Sequence, residues 1–137
     1  MNRLIVLDTN VVVSAGISGR GHSSFIVNQV LQGDLICVVS PTIAREYNEV
    51  LRRPKFANIG FPPIWLGVLI AEAHFLPKDP PTWAKDGPDK HDLIFLDVAH
   101  YVGAILITGN IKHFPKSIRG EVEVFTPAEY ASLLASS

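Results

Sequence analysis

The sequence predicts an α/β fold, a three-layer α/β/α sandwich around a central, mostly parallel sheet of four to five strands. Three observations predict it. Short aliphatic runs recur along the chain without polar alternation, which marks strands buried on both faces. Segments with helical patterning separate those runs, so each strand is followed by a crossover to the next. The length of 137 residues, 47% hydrophobic and 18% charged, suits one compact domain over residues 1–137, with room for a core but not for two.

The elements follow in order. Arg3 to Leu7 is a first buried strand, β-branched at Ile5 and Val6. Asp8-Thr9-Asn10 follows, then an apolar stretch to Ile17 and the breakers Ser18-Gly19-Arg20-Gly21. Ser23 or Ser24 is placed to cap a helix with Phe25, Ile26, Val30 and Leu31 on one side, closed by Gly33. Leu35 to Val39 is a second strand. Ser40-Pro41 then starts a helix, with a capping hydroxyl and proline at its first position. That helix is expected to run to about Arg53, where Pro54 stops it.

Pro62-Pro63 opens a helix over Ile64 to Phe75, closed by Pro77-Lys78-Asp79-Pro80-Pro81. The segment through Asp86-Gly87-Pro88 reads as a surface loop or lid, with Trp83 its one large apolar residue. Lys90 to Val102 is a helix apolar on nearly all sides and therefore central; Gly103 ends it. Ala104 to Ile107 is a third strand and Glu121 to Phe125 a fourth. Thr126-Pro127 caps a last short helix.

Composition limits the function classes. A net charge of −1 leaves no global basic field, so any nucleic-acid contact must come from a local patch. Cys37 is the single cysteine, which rules out an intramolecular disulfide and a cysteine-based zinc site. Met1-Asn2-Arg3 leads straight into a strand too short for a signal-peptide core, and no stretch of apolar residues is long enough to cross a membrane. A cytoplasmic location with no membrane partner is the expectation.

Three carboxylates stand where a purely structural chain would not need them. Ligands of an open α/β sheet bind beyond the carboxyl ends of the strands. Asp8 follows the first strand and Thr108-Gly109-Asn110 the third, so both polar strand ends point to one site. Asp8 fits a helix N-cap equally well, and both roles are compatible. On the helix after Ser40, Ile43, Tyr47, Val50 and Leu51 form one apolar stripe, with Glu46 at its edge, about 40° from Val50. A partly desolvated carboxylate there needs a partner, either an arginine or a shared metal ion. Glu49, Arg45 and Arg52 fall on the outer face. Asp92 opens the central helix, where the helix dipole alone favours an anion. Asp89 lies three residues earlier, whereas Asp97 is about 140° around the helix and away from the site. Oxygen-only donors suit Mg²⁺ or Mn²⁺ rather than zinc.

The chain resembles the PIN-domain family of ribonucleases, especially its toxin-like branch related to the VapC toxins. The resemblance rests on Leu7-Asp8-Thr9-Asn10, on the run from Glu46-Tyr47-Asn48-Glu49 to Arg53-Pro54-Lys55-Phe56, on Asp92 seven residues before Ala99, and on Ile107-Thr108-Gly109-Asn110-Ile111-Lys112-His113-Phe114-Pro115. It implies that the family's metal-binding carboxylates fall on Asp8, Glu46 and Asp92. The fourth acidic position falls on Asn110, which offers a carbonyl oxygen but no charge. That departure weakens the case for a second metal, for which Asp89 would compensate.

The resemblance also makes Thr9, Asn10 and Thr108 the groups that hold the carboxylates in place. It implies a metal-dependent endoribonuclease with RNA as substrate and a small antitoxin protein as partner, and it leaves a homodimer open. Arg52, Arg53, Lys55, Lys112 and His113 are then candidates for the RNA backbone, against the plain alternative of a solvated helix end and loop. His113 fits either a general acid or a structural turn. Two rival functions remain: a PIN fold kept as an RNA- or protein-binding module without catalysis, and a phosphatase of the haloacid dehalogenase type. The second wants an acid at Asn10 and a later lysine with an acidic pair, which have no convincing match here.

Overall fold

The computed structural model describes residues 3–59, 63–84, 88 and 90–136. Five strands, β1 (Leu4–Leu7), β2 (Ile36–Val39), β3 (His74–Phe75), β4 (Ile105–Ile107) and β5 (Val124–Phe125), form one sheet in the order β3-β2-β1-β4-β5. Every neighbouring pair is parallel. Ile5 pairs with Cys37 on one side and Ile105 on the other, and Leu7 pairs with Ile107. Ile5, Val6, Leu7, Val38, Val39, Leu106 and Ile107 are fully buried, as unalternated aliphatic strands covered on both faces must be.

The helices are α1 (Thr9–Ile17), α2 (His22–Leu31), α3 (Pro41–Leu51), α4 (Pro63–Glu72), α5 (Leu93–Val102), α6 (Lys116–Arg119) and α7 (Pro127–Ala135). Between β1 and β3 the chain moves outward along one half of the sheet, then returns through α5 to β4 on the other side of β1. Right-handed crossovers place outward and return connections on opposite faces, which gives the three layers. Helices α1, α4 and α7 pack on α2, α5 lies against β1 and β4, and α3 touches both α1 and α5. The strand order reverses between β1 and β4. Their carboxyl ends form the crevice where such sheets take ligands.

Capping at Ser40 and Thr126 follows the sequence. The Ser40 hydroxyl accepts from the Ile43 amide at 3.3 Å, and Thr126 and Glu129 form a reciprocal capping box. Elsewhere the boundaries move. Ser23 and Ser24 lie inside α2, whose N-cap is Gly21; Ser24 Oγ instead donates to the Ala15 carbonyl at 3.0 Å and ties α2 to the end of α1. The first turn over Lys90–Asp92 is 3₁₀, and α5 proper begins at Leu93. The helix expected to run to Arg53 stops at Leu51, with Arg52 as its C-cap, and that expected over Ile64 to Phe75 stops at Glu72. His74 and Phe75 belong to β3, an exposed edge strand paired only with β2. Of Glu121 to Phe125 only Val124 and Phe125 pair in the sheet.

Trp83 is not a loose lid residue. Its ring stacks on His100 with centroids 3.9 Å apart and covers Gly120. Gly120 has φ +56, and an added Cβ would lie 2.7 Å from Trp83 Cζ2 and 2.8 Å from Cη2. Gly120→Ala therefore combines left-handed backbone strain with a ring clash, and should cost about 2–3 kcal/mol in urea unfolding. A loss below about half a kcal/mol would show that the ring moves freely. Among the described residues no helix is long and apolar enough to cross a membrane.

Candidate active site

Asp8 leaves β1 as the N-cap residue of α1 and is buried, but its side chain makes no capping hydrogen bond. Its Oδ2 accepts from Thr108 Oγ1 at 2.7 Å and from Asn10 Nδ2 at 3.3 Å. The first of these bonds crosses the switch point from β4 to β1. Asn10 Oδ1 in turn accepts from the Gly109 amide at 2.9 Å. A Cβ at Gly109 would sit 3.2 Å from that oxygen, so the close approach of the two strand ends uses the glycine. Burial pushes the Asp8 carboxyl up to about 6, and the charge of Asp92 pushes the same way. The Thr108 hydroxyl and the amides of Thr9 and Asn10 oppose it without winning.

Glu46 comes from α3. Its neighbour Tyr47 is fully buried and donates its hydroxyl to the Leu7 carbonyl at 2.5 Å, which anchors α3 to the residue before Asp8. Half-buried Glu46 has its carboxyl raised, first by burial and then by the charges of Asp8 and Asp92; Thr9 and His91 pull it down. Thr9 Oγ1 is buried and, by hydrogen-bond geometry, without a partner, although it is near enough to favour the Glu46 carboxylate.

Asp92 stands at the N-cap of α5, again with no capping bond from its side chain. Its Oδ2 meets His113 Nδ1 at 2.6 Å, and His113 Nε2 meets Asn110 Nδ2 at 2.9 Å. The Asn110 amide nitrogen is thus turned to His113, while its backbone amide donates to Thr108 Oγ1 at 3.0 Å. Asp89 lies outside the described residues.

A groove of about 520 Å³ opens beside these acids, lined by Thr42, Arg45, Glu46, Glu49, Val50, Arg53, His91 and Asp92. Of the basic residues expected near RNA, Arg53 lines it. Arg52 and Lys112 are exposed and do not, and the Lys55 ammonium sits 5.1 Å from the centre of the Phe56 ring. Arg45, expected on the outer face, also lines the groove, with Nη2 3.1 Å from Thr42 Oγ1. His91 lines the groove as well, and no motif in the sequence marks it. Its position one residue before Asp92 was the available signal.

Among the described residues no three His, Cys, Asp or Glu side chains are close enough to hold a metal ion together. The donor set nevertheless fits a hard cation that keeps much of its water, as Mg²⁺ does with only one or two direct carboxylates. Asp8, Glu46 and Asp92 share a repulsion that a cation would relieve.

A search among curated proteins found no match. A chain of the crystal structure of VapBC2 from Rickettsia felis bound to a DNA fragment from their promoter is similar to this one at 18% identity and TM-score 0.61. The likeness covers 90% of this chain and 98% of that one, and at such identity it carries the fold alone. The family model described as PIN domain matches residues 4–112, which span Asp8, Glu46, Asp92 and Asn110. This chain, whose sheet turns at a crevice between β1 and β4 with acids entering from β1, α3 and α5, belongs to the PIN domain family.

Proposed function

We propose that this chain is a metal-dependent endoribonuclease that hydrolyses RNA phosphodiester bonds, with Asp8, Glu46 and Asp92 holding Mg²⁺ or Mn²⁺. One observation carries the reading. At the sheet's switch point the charge of Asp92 adds to burial in raising the Asp8 carboxyl, and the charges of Asp8 and Asp92 add to burial in raising Glu46, beside a groove that also presents Arg45, Arg53 and His91. Buried like charges are costly, and a cation site is the function that repays them. PIN domains are generally nucleases, which agrees.

A bound divalent ion would acidify a water and neutralise charge on the phosphodiester. The chain's own residues do the rest. Thr108 and Asn10 fix the Asp8 carboxylate, and Tyr47 holds α3 so that Glu46 faces it. Arg53 and Arg45 bind backbone phosphates along the groove, where a bare acidic cluster would repel RNA. Arg52, Lys55, Lys112 and His113 are weaker candidates for that contact.

The similar Rickettsia felis structure is a VapBC2 assembly on promoter DNA. On that likeness we extend the proposal to the toxin of a toxin–antitoxin pair, with a small antitoxin protein as partner, a cytoplasmic location, and a homodimer as a further possibility. The purified protein should cleave RNA with Mn²⁺ and stop with EDTA. Cleavage that persists in EDTA overturns the proposal. A second reading, a binding module without catalysis, is favoured by one observation: Asn110 occupies the fourth acidic position. Millimolar or tighter Mn²⁺ binding by calorimetry, lost in Glu46→Gln, counts against it.

A further inference from the structure

The loop after β4 carries a continuous hydrogen-bonded path between two of the acids. Thr108 Oγ1 donates to Asp8 Oδ2 at 2.7 Å and accepts from the Asn110 backbone amide at 3.0 Å. The Asn110 side chain reaches His113 Nε2 at 2.9 Å, and His113 Nδ1 reaches Asp92 Oδ2 at 2.6 Å. The local backbone explains the second half. Asn110 is the N-cap of a 3₁₀ turn over Ile111–His113. Residues three apart eclipse one another in such a turn, which brings the amide to the edge of the ring.

The chemistry of the atoms then fixes the proton. A side-chain amide nitrogen is a donor only. Nε2 of His113 must therefore accept, which leaves the ring proton on Nδ1, aimed at the Asp92 carboxylate. A ring so held gives Asp92 one orientation and a short charge-assisted bond.

We infer that His113 is the positioning residue of Asp92, locked in its Nδ1–H tautomer by Asn110, so that position 110 serves the site through this ring rather than as a fourth metal ligand. The inference rests on the metal-dependent reading above, but half of its test does not. In this arrangement the Asn at the fourth acidic position has a task of its own. An aspartate there would present no donor to Nε2 and would accept instead, so that Nε2 would carry a proton of its own.

Long-range ¹H–¹⁵N correlation on the metal-free protein reads the tautomer directly. The expected result is an Nδ1–H ring for His113 with Nε2 unprotonated, and an Nε2 signal that moves in Asn110→Ala, where the bond from the amide is lost. An Nε2–H or doubly protonated ring at neutral pH in the wild-type protein overturns the inference. The second measurement is Mn²⁺ affinity by calorimetry. His113→Asn keeps a donor near the place of Nδ1 and should stay within about threefold of wild type. His113→Leu fills the space without a donor and should bind about ten- to a hundredfold more weakly. Equal affinity in wild type and His113→Leu overturns the positioning role and leaves the ribonuclease reading intact. Absence of Mn²⁺ binding in the wild-type protein overturns both, even with the tautomer as expected.

Discussion

Asp8→Asn is expected to lose RNA cleavage by more than about a hundredfold while the metal-free protein becomes more stable. The loss follows from the proposed role, since even residues that only support a ligand cost about ten- to a hundredfold. The gain follows from burial. The Asp8 carboxyl titrates near 6 in the folded chain, against 3.8 for a free aspartate. Two units of raised pKa correspond to about 3 kcal/mol against the folded state at neutral pH. The amide of Asn removes that cost and keeps an oxygen for the Thr108 hydroxyl, so about 1–3 kcal/mol should be recovered, or a Tm higher by several degrees.

The sign sets the pH window. The folded state binds the Asp8 proton more tightly than the unfolded chain does. The contribution of Asp8 to stability is therefore greatest at low pH, falls as pH rises through about 4 to 6, and levels off above. Glu46 is raised as well and adds to the slope in the same direction. The Asn variant should show a shallower slope, since both the Asp8 charge and its pressure on Glu46 are gone. Thermal melts with EDTA at several pH values read this. A variant no more stable than wild type at pH 7 would mean that Asp8 is not strained by burial. Saturating Mn²⁺ should then raise the Tm of wild type and leave the variant nearly unmoved.

The parts of this molecule that can be read in advance are those in which one residue's neighbours along the chain reveal its surroundings. The strands β1, β2 and β4 are aliphatic without alternation because helices cover both faces, and Glu46 betrays itself as a carboxylate at the edge of an apolar stripe. Asp8 and Asp92 are legible as acids at strand and helix ends. Strand β3 is not, because both its residues are exposed and its only pairing partner, β2, lies 35 or more residues away. The one-turn α6 has too few residues to show a period. The contact of His113 with Asp92 spans 21 positions, and only the folded chain brings it about. Thr9 serves both acids, its backbone amide favouring the Asp8 carboxylate and its hydroxyl that of Glu46, a division that only the first turn of α1 makes.

Asp97→Ala should have the opposite outcome to Asp8→Asn: stability lost and chemistry kept. Asp97 lies on α5 away from the acids, as its angular position predicts, yet it is as buried as Asp8 and Asp92. Its Oδ1 accepts from the backbone amides of Trp83 at 3.0 Å and Ala84 at 2.7 Å. Two charge-assisted bonds therefore hold the strap that carries Trp83 onto His100 and over Gly120. Alanine removes the acceptor and strands two amides, one of them buried, at a cost of about 3–4 kcal/mol. That is a large share of the 5–15 kcal/mol typical of a domain. Asp97→Asn keeps an oxygen in place and should lose about half as much. In the folded fraction, Mn²⁺ affinity and cleavage should stay within about twofold of wild type, because no bond runs from this carboxylate to Asp8, Glu46 or Asp92 among the described residues. If folded Asp97→Ala binds Mn²⁺ tenfold more weakly, the strap and the acidic crevice are coupled through α5, and the separation drawn between them fails.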